Sequence, residues 1–150
     1  MIPYILQGKP GVDFRVTQHF MTPVSYTRSG IHGGLDIAPR VAGTRNVVLF
    51  APHEGYVGVA SSPMLGNHIT ITSLPYKREG DTRQSLLAHC ERVLVKNGAF
   101  VSQGEPVAIM GGAPGMQGAG HSTGIHCHWE YRHNGILMNV EPYLFTWSTS

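Results

Sequence analysis

Short stretches of alternating or β-branched apolar positions recur along the whole chain. They are FRVTQHF (14–20), GYVGVA (55–60), HITITS (68–73), SLLAHC (85–90), VLV (93–95), PVAIMG (106–111), HCHWEYR (126–132) and ILMNV (136–140). Alternation with a period of two places every second side chain on one face, as in a strand buried on one side. Gly, Pro, Asn or Ser bound most of these runs and supply the turns. No period of 3.6 persists beyond a turn or two, so helices are not expected. Many short strands closed by turns predict an all-β fold, an antiparallel sandwich or barrel. SSPMLGN (61–67) and PYKREGDTRQ (75–84) read as hairpin connections, the second solvated by its charges. The glycine-rich 110–124 segment has no GxxxxGK[ST] pattern and no helix after it, so it reads as a long turn rather than a phosphate loop.

Composition narrows the picture. At 150 residues the chain fits one domain, 1–150, large enough to remove about two-thirds of its unfolded surface from water. Nineteen glycines and ten prolines are spread throughout rather than pooled in a linker, which favours β over α. A formal charge of +2 is too weak a field to predict a nucleic-acid partner. The opening MIPYILQGKPGVDF lacks the charged and apolar regions of a signal peptide, and no run approaches the ~18 apolar residues of a membrane span. A chain made in the cytosol, with no membrane insertion, is expected. Cys90 and Cys127 lack CxxC spacing and are read as two buried thiols rather than a bridge.

Three segments carry candidate chemistry. In GIHCHWE (124–130), His126 and His128 share one strand face about 6.6 Å apart, while Cys127 points away. Such a pair suits a metal, proton transfer or a satisfied core. In GIHGGLDIAP (30–39), His32 and Asp36 stand four apart, but Gly33 and Gly34 make a helix costly by roughly 1 kcal/mol each. A glycine turn entering the strand LDIA is the better reading. Asp36, between Leu35 and Ile37, needs compensation if it points to a buried side, and a divalent cation with neutral imidazoles supplies it. The third segment is LLAHCERVLV, where His89 follows an apolar strand. Taken alone it reads as structural.

Together, VTQHF (16–20), HGGLDIA (32–38), LLAHCERVLVKNGAFVSQGEPVAIMGG (86–112) and GHSTGIHCHWEY (120–131) resemble the lysostaphin-type, or LytM, zinc metalloendopeptidases that cut peptidoglycan peptides. The resemblance covers about residues 14–132. It implies the LytM-like two-sheet sandwich with an open groove, built on a duplicated hybrid motif. It further implies Zn²⁺ held by His32, Asp36 and His128, and His89 and His126 as the non-liganding catalytic pair. The division between His126 and His128 comes from the resemblance alone. Three positions depart from the family: Leu87 replaces an aromatic, and Cys90 and Cys127 stand where aliphatics are usual.

Three protein ligands leave a tetrahedral zinc one position open to water, as catalytic sites require. With no HExxH present, histidine must replace the usual glutamate base. The expected partner is bacterial peptidoglycan peptide, and a phage lysis or virion-associated enzyme fits the missing leader. Glu130 shares the face of His126 and His128, either as an acceptor for a ligand's second N–H or facing solvent. His19, His53, His68, His121 and His133 are read as surface or scaffold, and Tyr26 and Asn67 as possible groove borders. A non-catalytic wall- or partner-binding domain is the rival, although all five expected residues are present. A histidine phosphocarrier is a second rival, needing neither Asp36 nor zinc.

Overall fold

A computed structural model of the chain describes residues 5–6, 11–73 and 82–141. Its elements are β1 (Phe14–Gln18), β2 (Leu35–Pro39), β3 (Val48–Phe50), β4 (Gly55–Ser62), β5 (Gly66–Thr72) and β6 (Arg83–Ala88). They continue as β7 (Cys90–Val93), β8 (Phe100–Val101), β9 (Pro106–Met110), β10 (Cys127–His133) and β11 (Ile136–Leu137). One sheet runs β1-β2-β10-β6-β5-β4-β8, with β11 on β10; a second runs β3-β9-β7. Every pairing is antiparallel. The fold is the expected all-β, antiparallel two-sheet arrangement.

Side-chain alternation explains where the core lies. On β10, Cys127, Trp129 and Tyr131 are 0%, 1% and 3% exposed and point inward. They pack with Leu35 and Ile37 of β2, Ile69 and Ile71 of β5, and Leu87 of β6. Fully burying each such aliphatic side chain contributes about 1.5–3 kcal/mol, so the central strands β2, β10, β6 and β5 carry much of the core of the large sheet. Cys90 and Cys127 are both buried and free. Burial pushes the Cys90 thiol up to about 12 and raises Cys127 well above the ordinary thiol range, so both are protonated at neutral pH.

Several expected strands are trimmed. FRVTQHF ends at Gln18, only Val93 of VLV lies in a strand, and ILMNV contributes only Ile136–Leu137. β3 and β8, at three and two residues, are too short to show a period and escaped the sequence reading. SLLAHC is not continuous. β6 stops at Ala88 and β7 begins at Cys90, with His89 between them at a φ of 62°. That left-handed backbone is uncommon for a residue with a Cβ, and it turns the chain from the large sheet into the small one. SSPMLGN joins β4 to β5 as expected. Residues 75–81 of PYKREGDTRQ lie outside the described residues. Among the described residues, no helix is long and apolar enough to cross a membrane.

Candidate active site

The site assembles where β2, β10 and β6 lie side by side. Asp36 on β2 is directly opposite His128 on β10, and His128 is in turn opposite Ala88 of β6. One residue past Ala88, the left-handed turn delivers His89. One residue before β10, His126 bridges to Gly111, its amide donating to the Gly111 carbonyl at 3.0 Å. His32 approaches from the segment preceding β2. Two glycines permit this crowding. A Cβ at Gly111 would meet Glu91 N at 2.6 Å and His89 O at 2.8 Å, so only glycine lets the His89 turn pack beside His126. A Cβ at Gly34 would meet the Trp129 carbonyl at 2.7 Å and His128 Cε1 at 2.9 Å.

The three expected ligand residues come together. His32 Nε2, Asp36 Oδ1 and His128 Nδ1 form a triangle with edges of 3.1, 2.8 and 3.0 Å. All three residues are buried, at 2%, 8% and 9% exposed. The outer nitrogen of each ring fixes what the inner one presents. His32 Nδ1 lies 3.2 Å from the His19 carbonyl, which can only accept, so Nδ1 carries the proton. His128 Nε2 lies 2.8 Å from Glu130 Oε2, so it too is the protonated nitrogen. When the rings are neutral, the inner nitrogens of His32 and His128 therefore offer lone pairs to a shared cation; with no cation there, a proton on His128 Nδ1 bridges to Asp36 Oδ1 at 2.8 Å.

That convergence favours positive charge. Burial by itself raises the Asp36 carboxyl, but hydrogen bonds with His128 and His32 and the charge of nearby imidazoles outweigh it and hold it well below the ordinary carboxylate range. Burial lowers His128, yet its contacts with Asp36 and Glu130 lift it to about 9. Both shifts record the same electrostatic fact: the buried Asp36 carboxylate favours positive charge among the inner nitrogens, whether a proton or a metal ion brings it. Zinc fits the donor set and the spacing, since a tetrahedral face built from 2.0–2.2 Å bonds has edges of about 3.4 Å, a few tenths wider than this triangle. The same three residues are those of the described chain that could hold a metal ion together.

Two further imidazoles border the triangle without joining it. His126 Nδ1 is 2.9 Å from the Gly124 carbonyl and 3.1 Å from Ser122 Oγ, leaving Nε2 to face Asp36 Oδ2 at 3.6 Å. His89 Nδ1 donates to the Ala119 carbonyl at 2.8 Å, again leaving Nε2 as the lone pair. The two rings are 4.8 Å apart, centroid to centroid. Burial, and then the neighbouring His126, lower His89 to about 4, which keeps it neutral and able to accept a proton.

Glu130 does not face solvent. It links His128 to Arg132, whose Nη1 donates to Glu130 Oε1 at 3.1 Å, and this pairing holds its carboxyl below the ordinary range despite burial. Asn67 instead supports the glycine-rich segment, its amide donating to the Gly118 carbonyl. The Tyr26 hydroxyl donates to Gln18 Oε1 at 3.0 Å, and Gln18 lines an open groove of about 490 Å³ that runs from Asp36 and His126 along β1 and β2. Arg15 and Thr17 line the same groove and were not singled out in the sequence, where nothing distinguishes one polar position of β1 from another. The His19 carbonyl that orients His32 was equally invisible, being a main-chain atom.

Comparison with known proteins places these residues in context. The family model for Peptidase family M23 matches residues 30–140. The peptidoglycan DD-endopeptidase ShyC of Vibrio cholerae is 34% identical over 92 residues, 61% of this chain but only 18% of ShyC. A zinc-containing peptidase from Vibrio cholerae superposes with a TM-score of 0.65 at 21% identity, covering 92% of this chain and 39% of that one. The catalytic domain of lysostaphin from Staphylococcus simulans gives a TM-score of 0.67 at 20% identity, over 87% of this chain and 92% of that one. These superpositions show the shared fold, and the chain spans less than half the length of both Vibrio proteins.

Proposed function

The chain belongs to peptidase family M23, and from that premise we propose that it is a zinc-dependent endopeptidase hydrolysing peptide bonds in peptidoglycan stem peptides or cross-links. The observation that carries the reading is the buried triangle of His32 Nε2, Asp36 Oδ1 and His128 Nδ1, each ring held in the tautomer that presents a lone pair inward. The peptidoglycan DD-endopeptidase activity of ShyC supports the substrate class, and the zinc of the Vibrio cholerae peptidase supports the metal.

Zinc, held by His32, Asp36 and His128, would supply a Lewis acid that polarises a carbonyl and eases the ionisation of water. The His19 carbonyl and the Glu130 carboxylate keep the two liganding rings aimed. His126 and His89 handle protons: one takes a proton from the attacking water as the O–C bond forms. The other protonates the amine as the C–N bond breaks. Both rings are suited to this because each ties Nδ1–H to a main-chain carbonyl and turns Nε2 to the same space. Positioned acid–base groups contribute about 10² to 10⁴ in rate.

The test uses purified peptidoglycan, following turbidity and new amino termini with zinc, with chelator, and with zinc restored. Wild type should cut only when loaded, and His126→Ala and His89→Ala should each lose about a hundredfold or more while retaining zinc. Zinc retained by a wild type that cuts no peptide bond in several wall chemistries would replace this reading with a wall-binding domain.

A further inference from the structure

The groove beyond the triangle has an asymmetric charge. Arg15 faces Ala38 across the β1–β2 pairing, and Ala38 is two residues past Asp36 on the same side of β2. The Arg15 side chain is exposed and lines the groove. Its Nε donates to the Pro39 carbonyl at 3.1 Å, which anchors the guanidinium by one N–H and leaves its terminal N–H groups for other partners. Among the described residues, no ion pair involves Arg15. Among the described residues, the only acid lining the groove is Asp36, which is engaged by His32 and His128. The opposite wall is uncharged, formed by Ala113, Pro114, Thr123 and Gly124. An anchored cation with further N–H donors therefore stands in a groove whose one lining carboxylate, among the described residues, is already engaged by the imidazoles.

We propose that Arg15 is a specificity-determining residue that receives a carboxylate of the bound peptide, within about three residues of the bond to be cut. The inference rests on the peptidase reading. Strand geometry sets the distance: two residues along β2 is about 6.6 Å, one strand across is about 4.8 Å, and an extended peptide advances about 3.4 Å per residue. The planar guanidinium offers paired N–H donors that match both oxygens of a carboxylate, whereas a carboxamide presents one acceptor and no charge. A carboxylate at a peptide's end and one on a side chain share this chemistry.

The probes are cross-linked peptides released from purified peptidoglycan, as isolated and after carbodiimide-coupled amidation. Synthetic pairs amidated only at the C-terminus or only on a side chain identify which carboxylate is taken. For the zinc-loaded wild type, kcat/KM and Kd should favour the carboxylate form about tenfold at low salt. That ratio should fall to about one in Arg15→Gln and below one in Arg15→Glu, with Arg15→Lys between. An unchanged ratio in Arg15→Gln, or a wild type indifferent to amidation, overturns the assignment. If the wild type cuts neither form, the peptidase reading fails, and the Kd ratio still decides the role of Arg15.

Discussion

Two buried histidines, His53 between β3 and β4 and His32 ahead of β2, show what separates a structural imidazole from a chemical one. His53 is 3% exposed and His32 is 2% exposed, so burial does not tell them apart. His53 Nδ1 donates to the Glu54 carbonyl at 2.8 Å, and its Nε2 accepts at 2.9 Å from Ser85 Oγ, which in turn accepts from Trp129 Nε1 at 3.4 Å. Both of its nitrogens are satisfied by neutral partners, and the cluster is closed. His32 has one nitrogen satisfied by a neutral carbonyl and the other turned towards Asp36 and His128. The first arrangement is complete within the protein; the second is completed only by positive charge.

The largest expected break in this comparison is Asp36→Asn. Removing the anion should abolish zinc retention and lower activity roughly a thousandfold or more, several kcal/mol of lost stabilisation. Zinc at a hundred times its Kd should stabilise wild type by about 2.7 kcal/mol, and melting with and without metal should show no such shift in Asp36→Asn. Glu130→Gln comes next: weakening the acceptor behind His128 should cost about 10- to 100-fold in zinc affinity, read by competition with a chelator, with the melting of the metal-free protein little changed.

His53→Gln sharpens the contrast from the other side. It should cost about 1–3 kcal/mol in denaturant unfolding, through the hydrogen bond lost to Ser85, while leaving zinc affinity and kcat/KM as in wild type. Its smallest effect is on pH dependence. Burial lowers the His53 pKa below 6.5, with Arg83 adding to the shift. Below about pH 6.5 the unfolded chain therefore binds a proton that the folded one resists, and stability falls as pH falls. The stability slope between about pH 6.5 and pH 5 should be shallower in His53→Gln than in wild type.

The alternation of HCHWEYR was enough to separate the core face, Cys127, Trp129 and Tyr131, from the face carrying His128 and Glu130. Spacing was not enough to divide His126 from His128. That division depends on which residue lies opposite Asp36, and pairing register is a tertiary property. Glu130 was left between a ligand's acceptor and a solvent-facing side chain because a half-buried glutamate and an exposed one look alike in sequence; its contacts with His128 and Arg132 appear only once alternate residues line up along β10. The sheet-crossing turn at His89 was hidden for a different reason. Nothing in SLLAHC signals a left-handed residue, and its conformation is held by the Leu65 and Ala119 carbonyls, distant in sequence.

Gly34 bears on how relatives are sorted into working and idle copies. Its missing methyl is the space occupied by the Trp129 carbonyl, the edge of the His128 ring and Glu130 Cγ. An alanine there would keep every expected zinc ligand and both partner imidazoles while pushing β10 out of alignment. A census of ligands alone would count such a chain as competent, so the glycine ahead of the strand belongs in the signature alongside the residues that bind.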